Sequence, residues 1–134
     1  MNSPKVLRSL IVVFTLVTAL VHLWLVYNGM TRARNPSISY PFLINGVGYL
    51  ALLGAFFLTR TSREQWHRLV QYLLMAFAAG SIVAWIIINH GRFFLALSIF
   101  DKAIEVLLIV VVWRYLRLTQ QRRSSEGVPV SGHA

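Results

Sequence analysis

The chain has 134 residues, room for one domain, with 57% hydrophobic and only 13% charged side chains. A soluble domain of this size shows far more surface charge, so composition places the chain in the membrane class. Cysteine is absent, which excludes disulfides, thiolate metal sites and iron–sulfur clusters. The net charge of +9 gathers at the ends of apolar segments, the pattern of a topology signal and not of a nucleic-acid surface.

Four apolar segments follow in chain order, each bounded by charge, proline or glycine. At about 1.5 Å per residue, about 20 helical residues cross the ~30 Å hydrocarbon layer. The first span is expected at about residues 9–29, and it carries His22 but no charge. Lys5 and Arg8 before an apolar run also suit a signal peptide, but the run is too long and no A-x-A-like site follows. It is read as a retained span. A turn marked by Asn35-Pro36 and Pro41 leads to the second span, at about residues 41–59. The third is expected at about residues 69–89.

The fourth is interrupted by Asp101, Lys102 and Glu105. A helix entering the bilayer at Phe93 would bury all three near the midplane, at about 2.5–3.5 kcal/mol for Asp or Lys. Placing residues 93–100 along the outer interface costs less. The span then runs over about residues 98–117, with Asp101 within a turn of the outer boundary and Arg114 snorkelling inward. Residues 119–134, rich in Ser and Gly, are expected to be a disordered cytoplasmic tail behind a membrane domain of residues 1–118.

Orientation follows from the 13 Lys and Arg residues. Nine of them, including Lys5, Arg8, Arg60, Arg63, Arg68, Arg114 and Arg117, lie on one side. Arg32, Arg34, Arg92 and Lys102 make up the other four. The excess predicts both termini in the cytoplasm, and with them an all-α, antiparallel four-helix bundle in the cytoplasmic (inner) membrane. Trp66, Trp113 and Tyr115 mark the inner boundary; Trp24, Tyr27 and Tyr40 mark the outer one.

Lipid gives helices no hydrophobic reason to associate, so small residues at helical spacing mark contact faces. The candidates are Thr15, Thr18, Ala19 and His22 in the first span, Gly48, Ala51 and Ala55 in the second, and Ala76, Gly80 and Ala84 in the third. Polar residues gather in the outer half, whereas the inner half reads as almost purely apolar. His22, Asn45, Trp85, Asn89, His90, Asp101, Lys102 and Glu105 form this outer set. Polar groups in a membrane are costly and face the bundle interior, where they pair. A single buried cluster joining His22, Asn45 and Glu105 is therefore expected, as interhelical glue or as a pocket for a ligand or proton. His22 and His90 are weak haem-ligand candidates, since histidines on two helices can clamp one iron. His67, in the basic inner loop, and His133, in the tail, are set aside.

Three segments, His22-Leu23 leading to Asn28-Gly29, then Phe42-Leu43-Ile44-Asn45-Gly46-Val47-Gly48-Tyr49, then Asp101-Lys102-Ala103-Ile104-Glu105, resemble a loose group of small four-span prokaryotic membrane proteins of unassigned function. The resemblance covers most of the chain outside the tail. It implies the four-span fold and that these polar positions belong together, and it carries no activity across. No nucleophile–base set, phosphate-binding glycine loop or metal-ligand spacing is present, so the sequence favours a non-enzymatic role. The expected function is an accessory or assembly subunit that meets other membrane subunits, or its own copies, through helix faces. The rival is a redox or transport protein holding haem b, quinone or a proton in the outer pocket.

Overall fold

The computed structural model describes residues 3–32, 39–59, 64–89 and 96–126. It is all-helical, with α1 at Pro4–Arg32, α2 at Ser39–Leu58, α3 at Glu64–Asn89 and α4 at Ala96–Glu126. α1, α3 and α4 contain their expected spans and overrun them, and α2 covers its own except Thr59. α1 starts early because Pro4 supplies a preset helical φ where no N–H is needed, and Leu7 N donates to the Ser3 carbonyl at 3.2 Å. α4 overruns most. Residues 119–126 are helical, so this part of the expected tail is corrected: its Gln and Arg residues sustain a helix already propagating from the membrane. Residues 127–134 lie outside the described set, as do His90 and His133.

Three helices, over Pro4–Asn28, Tyr40–Leu58 and Glu64–Ile88, are long and apolar enough to cross a membrane. α4 is longer still, but Asp101, Lys102 and Glu105 break its apolar run. Large apolar side chains cover the outside, as lipid contact requires: Leu58 is 76% exposed, Ile44 66% and Leu20 62%.

Each helix packs on two others: α1 on α2 and α4, and α3 on α4 and α2. Among the described residues α1 does not touch α3, nor α2 α4, closely along the backbone. The buried positions recur every three or four residues, at Leu7, Ile11, Thr15, Thr18 and His22 of α1 and at Asp101, Glu105, Leu108 and Val112 of α4. This is the stripe of a helix with one inward face. Arg8 lies over the Phe57 ring at one end, where Phe56 also meets His67 and Tyr115. Toward the other end His22 meets Asn45.

The small-residue rows divide. On α1, Thr15, Thr18, Ala19 and His22 are all buried. On α2, a Cβ on Gly46 would stand 2.9 Å from the Leu23 side chain and 3.3 Å from the Ala19 carbonyl, and one on Gly48 would run into the Phe77 ring. Ala51 instead faces outward. On α3 the expectation fails: Ala76, Gly80 and Ala84 are all exposed. The inward face of α3 is taken by Gln71, Leu74, Ala78 and Ser81, because Gln and Ser lose more than Ala or Gly by facing hydrocarbon. The half away from the His22–Asn45 contact, expected to be almost purely apolar, also buries Gln71 and Thr15.

Candidate functional site

His22 sits on the inward face of α1, where its Nδ1 donates to the Thr18 carbonyl at 2.9 Å. A carbonyl only accepts, so Nε2 is left as the acceptor. It takes a hydrogen bond from Asn45 Nδ2 of α2 at 3.3 Å. The same amide donates to Ser81 Oγ of α3 at 3.2 Å. From α4, Lys102 Nζ donates to that hydroxyl at 2.9 Å and to Glu105 Oε2 at 2.7 Å. Lys102 also pairs with Asp101 Oδ2 at 3.1 Å. The second Glu105 oxygen, Oε1, accepts from the Tyr49 hydroxyl at 2.8 Å. All four helices thus contribute to one network, and Asp101, Glu105 and His22 are each at most 2% exposed.

Two buried atoms here are left over among the described residues, one of them the Thr18 hydroxyl oxygen. Asp101 Oδ1 is buried and has no hydrogen-bond partner among the described residues. His22 Nδ1 lies 3.8 Å away, too far for a hydrogen bond. Two carboxyl groups therefore share one amino group, that of Lys102.

The network floors a pocket of about 560 Å³ that reaches His22, Asn45, Ser81, Asp101 and Lys102. Its walls are mostly apolar, with Leu25, Phe42, Ile44, Ala84, Trp85 and Ile88 joined by Ser98. Ile44 and Ile88 are 66% and 63% exposed, so the pocket reaches the apolar outer surface of the helices.

The structure brings His22, Asn45, Asp101, Lys102 and Glu105 of the expected set together, with Trp85 in the pocket wall. His22 meets Asn45 directly, whereas Glu105 is held by Lys102 and Tyr49. Asn89 ends α3, and its side chain lies outside the described set together with His90. The haem pair His22–His90 therefore falls in part beyond description, and His22 Nε2 already accepts from Asn45. His22, Asp101 and Glu105 also bring ligand-type atoms within 4.8 Å of one another, but the Lys102 ammonium touches both carboxylates there. His67 lies at the opposite end, 3.3 Å from Thr59 Oγ1 and against the Phe56 ring.

Tyr49 and Ser81 were missed from sequence. Tyr49 stands four residues from Asn45, on the same helical face, and that spacing could have found it. Ser81 stands on the same inward face as Leu74 and Ala78, but attention to the neighbouring small residues hid it. No family model, curated protein or solved structure matches the chain.

Proposed function

We propose that the chain is a multi-pass protein of the cytoplasmic membrane whose outer half binds a small amphipathic molecule. In this reading the four helices form an antiparallel bundle with α4 as the fourth span and both termini in the cytoplasm. The carrying observation is the apolar-walled pocket standing on a buried ionic network. An ionic cluster is an expensive way to hold helices together, because desolvating the ions offsets much of their attraction. Apolar residues would hold the helices at lower cost, and intramembrane charge marks ligand or ion sites. The pocket walls suit an apolar body and the floor suits a polar head.

The test is extraction of the full chain, purified in mild detergent, followed by mass spectrometry. A small molecule enriched over a mock preparation, and lost in Ala84→Trp, supports the reading; Ala84 lines the pocket and is exposed, so a bulky residue there fills the pocket without entering the core. Extracts of native and variant protein that do not differ from the mock would sink it. An absorption spectrum of the same sample separates haem from colourless ligands.

A second reading, an accessory or assembly subunit, is favoured by the outward row Ala76, Gly80 and Ala84, since small residues let another membrane helix approach closely. A partner chain copurifying with native protein but not with Gly80→Leu supports it.

A further inference from the structure

We infer that the outer pocket takes a protonated amine with an apolar body, held through Asp101 Oδ1. The inference rests on the pocket reading and narrows it to one chemical class.

Donors and acceptors on the pocket floor are unequally satisfied. Lys102 has three N–H bonds, and they are matched by Ser81 Oγ, Glu105 Oε2 and Asp101 Oδ2. Asn45 has two, matched by His22 Nε2 and Ser81 Oγ. The His22 Nδ1 proton goes to the Thr18 carbonyl and the Tyr49 hydroxyl proton to Glu105. The donors of Lys102, Asn45, His22 and Tyr49 are thus occupied. Of the two buried atoms here without a partner among the described residues, Thr18 Oγ1 and Asp101 Oδ1, only the second belongs to a residue lining the pocket.

This asymmetry discriminates between ligand heads. A quinone or ketone carbonyl only accepts, so whichever donor it meets in the lining it leaves Asp101 Oδ1 unpaired. A divalent metal needs several free ligand atoms, but Lys102 and Tyr49 already hold both Glu105 oxygens and Thr18 holds His22 Nδ1. An ammonium group fits on both grounds. Its N–H donates to Oδ1, and its charge suits a floor where two carboxyl groups share the single Lys102 amine. Phe42 and Trp85 in the wall supply aromatic and apolar area to its body. A mouth flanked by exposed Ile44 and Ile88 lets such a molecule enter from the bilayer, where amphipathic amines concentrate.

The experiment uses the full chain in lipid nanodiscs and three probes of matched shape: phenylbutylamine, phenylbutanol and benzylacetone. Calorimetry with nanodiscs lacking protein as the blank should show the amine binding at least about tenfold more tightly than the ketone, with the alcohol between. Asp101→Asn should weaken the amine about thirtyfold or more, the scale of a lost buried ionic hydrogen bond, while changing the alcohol by only a few fold. Ala84→Trp should abolish binding of all three. Ketone binding as tight as amine binding overturns the inference and leaves the pocket reading standing. Amine affinity unchanged in a folded Asp101→Asn does the same. Should that variant not fold, the amine-to-ketone ratio of the native protein decides alone. No binding by any probe removes this inference, while a copurified ligand lost in Ala84→Trp would still uphold the pocket.

Discussion

The two halves of this molecule are held by different physics on the same four helices. Toward one end, Leu7, Ile11, Phe56, Leu74, Leu108 and Val112 form a dry core in which every member is at most 1% exposed. The Phe56 ring packs 4.9 Å from His67 and 6.3 Å from Tyr115. Toward the other end, the same inward faces carry His22, Ser81, Asp101, Lys102 and Glu105. Close packing is tolerant of partners because dispersion has no direction. A buried ionic network is not, since removing one member strands the others. The helices therefore have a robust half and a half poised on charge balance, and the pocket lies in the second.

The largest effect should come from unbalancing that charge. Lys102→Met leaves Asp101 and Glu105 buried with no ammonium, and should lower stability by about 3–5 kcal/mol, the usual result of breaking a buried pair from one side. Glu105→Gln keeps the shape and the Tyr49 contact, and should cost about 1 kcal/mol. Unfolding of both variants in mixed micelles with increasing denaturing detergent measures the difference. The sharper arm is the triple variant Asp101→Asn, Lys102→Met, Glu105→Gln, which removes all three charges together and should recover most of the loss. Failure of the triple variant to recover would mean that Lys102 acts through packing and not through charge.

In the dry half, Leu108→Ala should lower stability by about 2–4 kcal/mol through lost contacts and a cavity. Amine binding should remain within a factor of about two of native. Calorimetry on the variant checks this, and a large loss of affinity would show that the halves are not independent.

Glycines give a smaller contrast across the boundary between packed and lipid-facing surface. A Cβ on Gly48 meets the Phe77 ring, whereas one on Gly80 has nothing within 4 Å. Gly48→Ala should cost about 1–3 kcal/mol by overpacking. Gly80→Ala should be neutral or stabilising by up to about 1 kcal/mol, because a helix interior prefers Ala. Equal costs at both positions would indicate that the Gly80 face is packed against something in the membrane, which would favour the accessory-subunit reading.

The helices were legible because the hydrophobic run is a property of each segment alone. Where α4 stops was not, since a polar helix continuing past Arg117 has the composition of a tail. Depth along each helix was enough to gather His22, Asn45, Asp101, Lys102 and Glu105, because polar groups at equal depth in hydrocarbon have few alternatives to meeting. Rotation about each axis was less legible. It decides that Gly46 and Gly48 make the close contacts of α2 and that Ala76, Gly80 and Ala84 of α3 face outward. The pairing within the cluster also lay beyond sequence: Tyr49 reaching Glu105, and Ser81 taking hydrogen bonds from two helices, depend on tenths of an ångström.

The smallest effect is expected at a carboxylate–cation contact outside the cluster. Arg68 and Glu64 lie at 2.6 Å on α3, four residues apart. Lys102 and Glu105 lie at 2.7 Å on α4, three residues apart. Distance and local geometry would rank the two alike. Burial separates them: the Arg68 and Glu64 side chains are 43% and 37% exposed, against 11% and 0% for Lys102 and Glu105. Water already solvates the exposed pair when it separates, so little is lost on breaking it, and salt screens what remains. Glu64 also sits in the first turn of α3, where a negative charge suits the helix N-terminus. Glu64→Gln should therefore cost about 0.3–1 kcal/mol, falling toward zero in molar salt, with amine binding unaffected. Lys102→Met should keep nearly its whole effect in the same salt, because ions do not enter the core to screen it. Parallel unfolding of the two variants at low and high salt makes the comparison. A salt-independent loss at Glu64, or a salt-sensitive one at Lys102, would contradict the division of the molecule into a wet rim and a buried ionic core.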